Sequence, residues 1–288
     1  MDDEHSLNLE RDQPLAAFSS LQIGGRSRYF LRFSHSEQLR RVFLFSLRKK
    51  FPFFLLGKGS NTFLGDQFFP GIILRNEMKK YWFGESQLYA ESGLSLPFLS
   101  YLTASLSLSG FEWASGIPGT IGGALFMNAG AEGETISDQL LWVDYLDIEG
   151  KVHHFSYKEL SFAYRYSCFQ EMKGCILGAS FRLRPDHQAR ERRRVYLKRR
   201  QAREPRQGYS LGCIFKNGEG FSAGSLIDRH VGRGRCWSHI SLAKEHANFF
   251  LHDGKGSARD FLSSLHEVQQ IVLQKSGIWL SPEIRLLQ

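Results

Sequence analysis

The hydrophobic pattern changes period several times along the chain, and each change marks an element. Arg28–Phe33 reads as a short strand. Leu39, Val42, Phe43 and Leu47 then recur at helical spacing. Ser34 and Glu37 predict a capping box ahead of them, and the helix must end before Pro52. Phe53–Leu56 is an unbroken apolar run, the pattern of a buried strand, so this stretch predicts a strand–helix–strand unit. Gly71–Arg75, Tyr81–Phe83 and Leu88–Glu91 predict further strands. Ser95 can cap a helix carrying Phe98, Leu99, Leu102 and Leu106, with Gly110 as its stop. Leu141–Ile148 and Lys151–Phe155, joined by Glu149-Gly150, predict a hairpin, and Cys175–Leu183 one more strand.

Past Pro185 the composition shifts, which places a boundary there. Cys213–Lys216 and Ala247–His252 predict strands, and Ala223–Arg229 a helix. Ser257 and Asp260 open an amphipathic helix with Phe261, Leu265, Val268 and Val272 on one face, and Gly277 closes it. Leu280–Arg285 reads as a last strand.

Length and composition narrow the class. The chain has 288 residues, 42% of them hydrophobic and 23% charged, as in a soluble globular protein of about two domains. The formal net charge of +8 invites a nucleic-acid or membrane-surface reading. Its location argues otherwise. Arg190–Arg206 holds nine cations against Glu191 and Glu204, a local +7 that leaves +1 for the rest. With Tyr196 as the only aromatic in that run, a solvated helix face is the better reading, and no nucleic-acid partner is expected. Residues 1–11 are polar and contain no signal-peptide core. The greasiest stretch, Phe43–Leu56, is broken by Arg48, Lys49, Lys50 and Pro52, so no membrane insertion is expected. Cys168, Cys175, Cys213 and Cys236 form no CxxC pair, which points to a reducing, cytoplasmic setting. The ten histidines show no ligand spacing, and no metal site is expected.

Several segments can carry chemistry. Gly57-Lys58-Gly59-Ser60-Asn61 follows a buried strand, where glycines let backbone N–H groups approach a phosphate; a plain tight turn is the alternative. Gly110–Gly133 has seven glycines in 24 residues. Its Ser115-Gly116-Ile117-Pro118-Gly119-Thr120-Ile121-Gly122-Gly123 stretch favours a loop wrapped around a flat or phosphorylated ligand over simple turns. Arg165, in Tyr164-Arg165-Tyr166-Ser167, is either an anion clamp or a structural arginine. Cys213 can be a proton donor or nucleophile, although a free cysteine is usually core filler. Glu283 by itself reads as a solvent-facing charge.

Taken together and in order, these blocks resemble the UDP-N-acetylenolpyruvoylglucosamine reductase family. The blocks are Ile23-Gly24-Gly25, Leu56–Asn61, Gly110–Gly123, Met127-Asn128-Ala129-Gly130-Ala131, Tyr164–Ser167, Phe215-Lys216-Asn217, His246-Ala247-Asn248-Phe249 and Leu280–Arg285. The resemblance runs from about Leu15 to Leu287. It implies an α+β, vanillyl-alcohol-oxidase-like (PCMH-type) FAD-binding fold, with FAD subdomains at 15–75 and 76–185 and an α+β substrate domain at 186–288 whose last strand returns to the FAD site. Non-covalent FAD would be held by Gly57, Lys58, Gly59, Ser60, Asn61, Ser115, Gly116, Ile117, Pro118, Gly119, Thr120, Gly122, Gly123 and Asn128. NADPH would be the reductant, and a UDP-sugar enolpyruvate the substrate, touched by Tyr164, Lys216, Asn217 and His246. The enzyme would be a monomer.

The resemblance also gives the isolated residues roles. An enol ether bearing a carboxylate is a conjugate acceptor, so hydride addition to its vinyl carbon builds an enolate. Arg165 would offset that charge, Glu283 would serve the intermediate, and the residue at 213 would protonate the carbon. The family usually has serine there; this chain has Cys213, and a thiol is the stronger acid, with a reference pKa of about 8.5. Gly218 stands where the family has proline, and Ala243 where it has serine. The short Arg165-to-Cys213 spacing resembles the subgroup without a tyrosine-bearing insertion. An oxidase of the same fold is the competing flavoenzyme reading; such relatives often attach flavin through histidine, and no histidine adjoins either glycine loop here.

Overall fold

The computed structural model describes residues 7–287. Positions 1–6 of the polar opening, and Gln288, lie outside the described residues. The chain gathers into two compact units that interleave along the sequence. One comprises 7–12, 28–57 and 70–198; the other 13–27, 58–69 and 199–287.

The first unit is organised by two sheets. One has four strands in the order Glu10–Pro14, Arg26–Phe33, Phe69–Asn76, Phe53–Leu56. The last two run parallel, with Phe54 opposite Ile73. Helix α1, Ser36–Lys49, buries Leu39, Val42, Phe43 and Phe45. The expected capping box does not form. The N-cap is His35, with no side-chain cap, and the Ser34 N–H donates instead to Gln38 Oε1 at 3.0 Å. Gln38, one residue further into the helix, reaches back with its side-chain oxygen, while the Glu37 carboxylate accepts from Arg40.

The second sheet has five antiparallel strands in the order Val152–Ser156, Leu140–Asp147, Gly174–Arg182, Gln87–Glu91, Tyr81–Phe83. The hairpin turns where the sequence predicts, with Gly150 at φ +87° and Asp147 Oδ1 accepting from the N–H groups of Glu149 and Lys151. The central strand explains its nearly unbroken apolar run: Cys175 and Leu177 join one core, Ile176, Ala179 and Phe181 another. A bulge makes this possible. Tyr145 pairs with Ile176 and Asp144 with Gly178, so Leu177 is an extra residue: it stays on the face of Cys175, and the alternation shifts after it, putting Ala179 and Phe181 on the face of Ile176.

Three helices complete this unit: α2, Leu96–Ser105; α3, Ile121–Met127; and α4, beginning at Ala189 and running to Arg203. Helix α3 is a correction, since its first turn, Ile121–Gly123, read as part of the Ser115–Gly123 loop. Thr120 caps it, its hydroxyl accepting from Gly123 N at 3.3 Å. Helix α4 carries the basic run with most of its cations exposed, as a solvated face, and adds partners for some of them. Arg192 donates to Glu112, whose carboxylate is 2% exposed, and to Asp186 at 2.5 Å. Arg190 donates to the Ser105 carbonyl at 3.0 Å, and the Arg193 guanidinium lies 5.3 Å from the Tyr101 ring centre. The basic run therefore staples α4 to α2 and to the Glu112 turn.

In the second unit, α5 (Ala223–His230) and α6 (Ala258–Ser276) pack with a three-stranded sheet of Cys236–Trp237, Ile240–Leu242 and Phe250–His252. Phe63 stacks on Phe261, with ring centres 5.0 Å apart. The expected strand Cys213–Lys216 is absent as a ladder. Its residues make single bridges to two different segments, Cys213 to Phe249 and Phe215 to Pro282. The last strand is also displaced, to Arg285–Leu287, where it runs parallel to Thr62–Leu64. Among the described residues no helix is long and apolar enough to cross a membrane.

Helix α6 keeps its predicted ends. Ser257 and Asp260 form a reciprocal capping box, and Gly277 takes the left-handed C-cap at φ +73°. Ser257→Ala should lower stability by about 1 kcal/mol in denaturant titrations. The Ser257 N–H and hydroxyl hold the Asp260 carboxyl below the usual carboxylate range. Its contribution is therefore present above that range and is lost as pH falls through the depressed folded-state value. Asp260→Asn should flatten that part of the acid-stability curve; an unchanged curve would refute this assignment.

Candidate active site

The first glycine loop leaves the strand Phe53–Leu56. Gly57 lies against the second loop: a Cβ there would sit 2.8 Å from Thr120 Oγ1. The half-buried Arg75 guanidinium donates to the Gly57 carbonyl. Gly59 has φ +68°, and a Cβ on it would come within 1.9 Å of the Phe18 carbonyl oxygen, so no other residue fits there. Lys58 is exposed, and Ser60 and Asn61 are half-buried.

The second loop is pinned from several sides. Ser115 is buried; its hydroxyl donates to the Glu112 carbonyl at 2.7 Å and lies 3.1 Å from Ser100 Oγ. Gly116 and Pro118 are exposed, Ile117 and Gly119 half-buried. The Leu96 N–H donates to the Gly119 carbonyl at 3.1 Å, and the Ile117 N–H to the Ala114 carbonyl at 3.1 Å. Gly122 has a packing reason: a Cβ would lie 2.9 Å from Ser92 Cβ. Gly123 has none. It is exposed, and a Cβ there would meet only Thr120 Oγ1, at 3.5 Å. Past the helix, Asn128 takes a left-handed conformation at φ 43° and is 5% exposed. Its Nδ2 donates to the Ala163 carbonyl at 2.9 Å, whereas its buried Oδ1 has no partner.

Tyr164 and Arg165 form the two-residue turn between Phe162–Ala163 and Tyr166–Ser167. Arg165 has φ +54°, its Nη1 donates to the Gly130 carbonyl at 3.3 Å, and its guanidinium lies 5.1 Å from the Tyr164 ring centre. The structure thus brings Arg165 to the Asn128–Gly130 segment. Gln170, which the sequence did not single out, donates to the Arg165 carbonyl at 3.2 Å.

Cys213 and Glu283 lie on adjoining segments of the other unit. The Glu283 N–H donates to the carbonyl of Ile214, the residue after Cys213, at 2.7 Å. Asn61 joins them: its Nδ2 donates to the Glu283 carbonyl at 3.3 Å, and its carbonyl accepts from Arg285 N at 3.0 Å. The first glycine loop and the C-terminal segment are therefore connected through one residue. Asn248 holds the next step. Its buried amide donates to the Phe215 carbonyl at 2.8 Å and accepts from Phe215 N at 2.9 Å, as a paired strand would. The Lys216 N–H donates to the Ser281 carbonyl at 2.9 Å. Asn217 is exposed, and its Oδ1 accepts from the Ala223 N–H at the start of α5. His246 lies at the same end, with its ring 3.3 Å from a Cβ built on Gly224; burial lowers its pKa and keeps it neutral near pH 7. Among the described residues no group of three His, Cys, Asp or Glu side chains could hold a metal ion, and all four cysteines are free thiols.

Comparison with known proteins accounts for both halves of this arrangement. Residues 27–156 match the FAD binding domain family, and residues 204–287 the C-terminal domain of UDP-N-acetylenolpyruvoylglucosamine reductase. The reductase of Chlamydia muridarum is 36% identical over 97% of this chain and 95% of its own length. That of Protochlamydia amoebophila is 35% identical over 94% and 91%. The crystal structure of the reductase from Thermus caldophilus superposes with a TM-score of 0.84 at 28% identity, covering 98% of this chain and 99% of that one. A match of this identity over nearly the full length of both proteins places the chain in the UDP-N-acetylenolpyruvoylglucosamine reductase family.

Proposed function

We propose that the chain reduces UDP-N-acetylglucosamine enolpyruvate to UDP-N-acetylmuramate, a step of peptidoglycan precursor synthesis, with Arg165, Cys213 and Glu283 as its working groups. What carries the residue assignment is the junction of Cys213 and Glu283 through Ile214, in a chain of this family. FAD fits the residues present. Asn128 Oδ1 is a buried acceptor without a donor, and a flavin dinucleotide carries N–H and O–H donors. Gly123 leaves its face open to close approach. On this reading Gly57–Asn61, Ser115–Thr120, Gly122, Gly123 and Asn128 hold FAD without a covalent bond, although Gly122 and Ser115 also have the internal reasons given above.

FAD, when bound, supplies the hydride it has received from NADPH. The chain's own residues manage the charge and the proton. Arg165 pairs with the substrate carboxylate and offsets the negative charge that builds there as the vinyl carbon is reduced. The Cys213 thiol gives its proton to the carbon beside the carboxylate, completing addition of two hydrogens across the double bond. Glu283 serves the same intermediate. Lys216 offers a cation to an anionic substrate, with Tyr164, Asn217 and the neutral His246 as further contacts. By role, 15–75 and 76–185 serve the cofactor and 186–288 the substrate. Free thiols and nucleotide-linked substrates support a cytoplasmic enzyme. The enzyme is proposed to act as a monomer, as the resemblance implies.

The overall reading is tested by the visible spectrum of the purified protein and by NADPH oxidation that depends on the enolpyruvyl sugar nucleotide. Cys213→Ser should retain substantial activity and Cys213→Ala lose most of it; equal activity in the two would remove Cys213 from the proton-donor role. Gly123→Ala should leave the melting temperature unchanged or raised, because alanine favours the helix by up to about 1 kcal/mol. It should nevertheless lower the flavin retained through gel filtration. Full retention would mean that the cofactor does not approach this glycine.

A further inference from the structure

Arg165 occupies backbone space that side-chain-bearing residues seldom adopt, at φ +54°. The hairpin presenting it cannot enforce this by itself. Its two strands pair only Phe162 with Ser167 and Ala163 with Tyr166. The support comes from the end of α3, whose last carbonyls have no partner within the helix. Ser167 Oγ donates to the Phe126 carbonyl at 2.8 Å, and Asn128 Nδ2 donates to the Ala163 carbonyl at 2.9 Å. Gln170 does both jobs at once. Its Nε2 donates to the Phe126 carbonyl at 2.9 Å and to the carbonyl of Arg165 itself at 3.2 Å. Its backbone is anchored in turn by Phe169, 2% exposed and stacked on Tyr145 with ring centres 5.6 Å apart.

We propose that Gln170 is a positioning residue for the reduction, holding the left-handed turn at Arg165 so that the guanidinium meets the substrate carboxylate. The proposal rests on the role assigned to Arg165 above. Arg165 is then fixed at both ends: its carbonyl by Gln170, its guanidinium by the Gly130 carbonyl and the Tyr164 ring. Both hydrogens of one amide are committed to carbonyl oxygens, so only a donor serves at this position. A carboxylate of the same shape would face two carbonyls and repel them.

The two half-reactions of the FAD-loaded enzyme, followed by stopped flow at the flavin band, separate this role from a merely structural one. Gln170→Ala should slow reoxidation of the reduced enzyme by substrate by roughly tenfold to a hundredfold, since small misplacement of a charge-stabilising group is costly. It should leave reduction by NADPH within about twofold of the parent. Gln170→Glu should slow reoxidation at least as much, and Gln170→Lys, which restores an N–H donor, should recover part of the rate. Arg165→Lys is measured in parallel. If it leaves reoxidation unaffected, the role of Arg165 fails. If it slows reoxidation while Gln170→Ala does not, the Gln170 proposal alone fails. If Gln170→Ala loses flavin or melts early, Gln170→Lys decides: recovery of reoxidation with restored flavin supports positioning, and equal loss in both half-reactions overturns it.

Discussion

A backbone N–H or C=O removed from water must find another partner, and around the candidate catalytic residues the strands are too short to supply one. Side-chain amides supply it instead. Asn248 completes both hydrogen bonds of Phe215, Gln170 and Asn128 hold the Arg165 turn, and Asn61 bonds the Glu283 carbonyl. Gln269 does the same for the Leu280 carbonyl at 2.8 Å. Each amide makes a bond of ladder geometry without requiring a ladder, so the chain around it can turn, bridge to two neighbours or take a left-handed conformation. Cys213, Glu283 and Arg165 all sit on such irregular backbone. The arrangement places polar groups where a regular strand would bury them.

The same economy applies to charge. An excess of +8 suggests a surface for polyanions, yet the helix holding most of it ties several half-exposed arginines to neighbouring elements and side chains. Arg192 lies between the buried Glu112 carboxylate and Asp186; removing Arg192 would leave Glu112 without its cation, a far larger cost than losing a surface pair. Glu112 sits within the Gly110–Gly123 block, two residues after Gly110, whose N–H it accepts at 2.7 Å. The basic helix therefore braces the segment that leads into the second glycine loop.

Much of the regular structure was legible in the sequence because local physics sets it. The Ser257–Gly277 helix carries its own start, face and stop, and the Glu149-Gly150 hairpin its own turn. Misread elements have two causes. Ser34 loses its expected partner to Gln38, a competition between side chains one residue apart, and Cys213–Lys216 divides its bridges between two distant segments. The second choice is not encoded within a few residues of where it happens.

The sequence by itself determined the family, the reaction class and the residue types at the candidate positions, because spaced glycines, YRxS and a terminal PEIR occur in the family's order. It also puts a thiol at Cys213, where the resemblance leads one to expect a hydroxyl. Only the tertiary structure decided which neighbours hold those residues. Gln170 braces Arg165 from five positions away, Asn248 reaches Phe215 across 33, and Asn61 meets Glu283 across 222. The physical reason is that a hydrogen bond needs its two atoms about 3 Å apart. Local pattern controls that distance only within a helix turn or a tight hairpin; beyond those, the packing of the whole fold sets it.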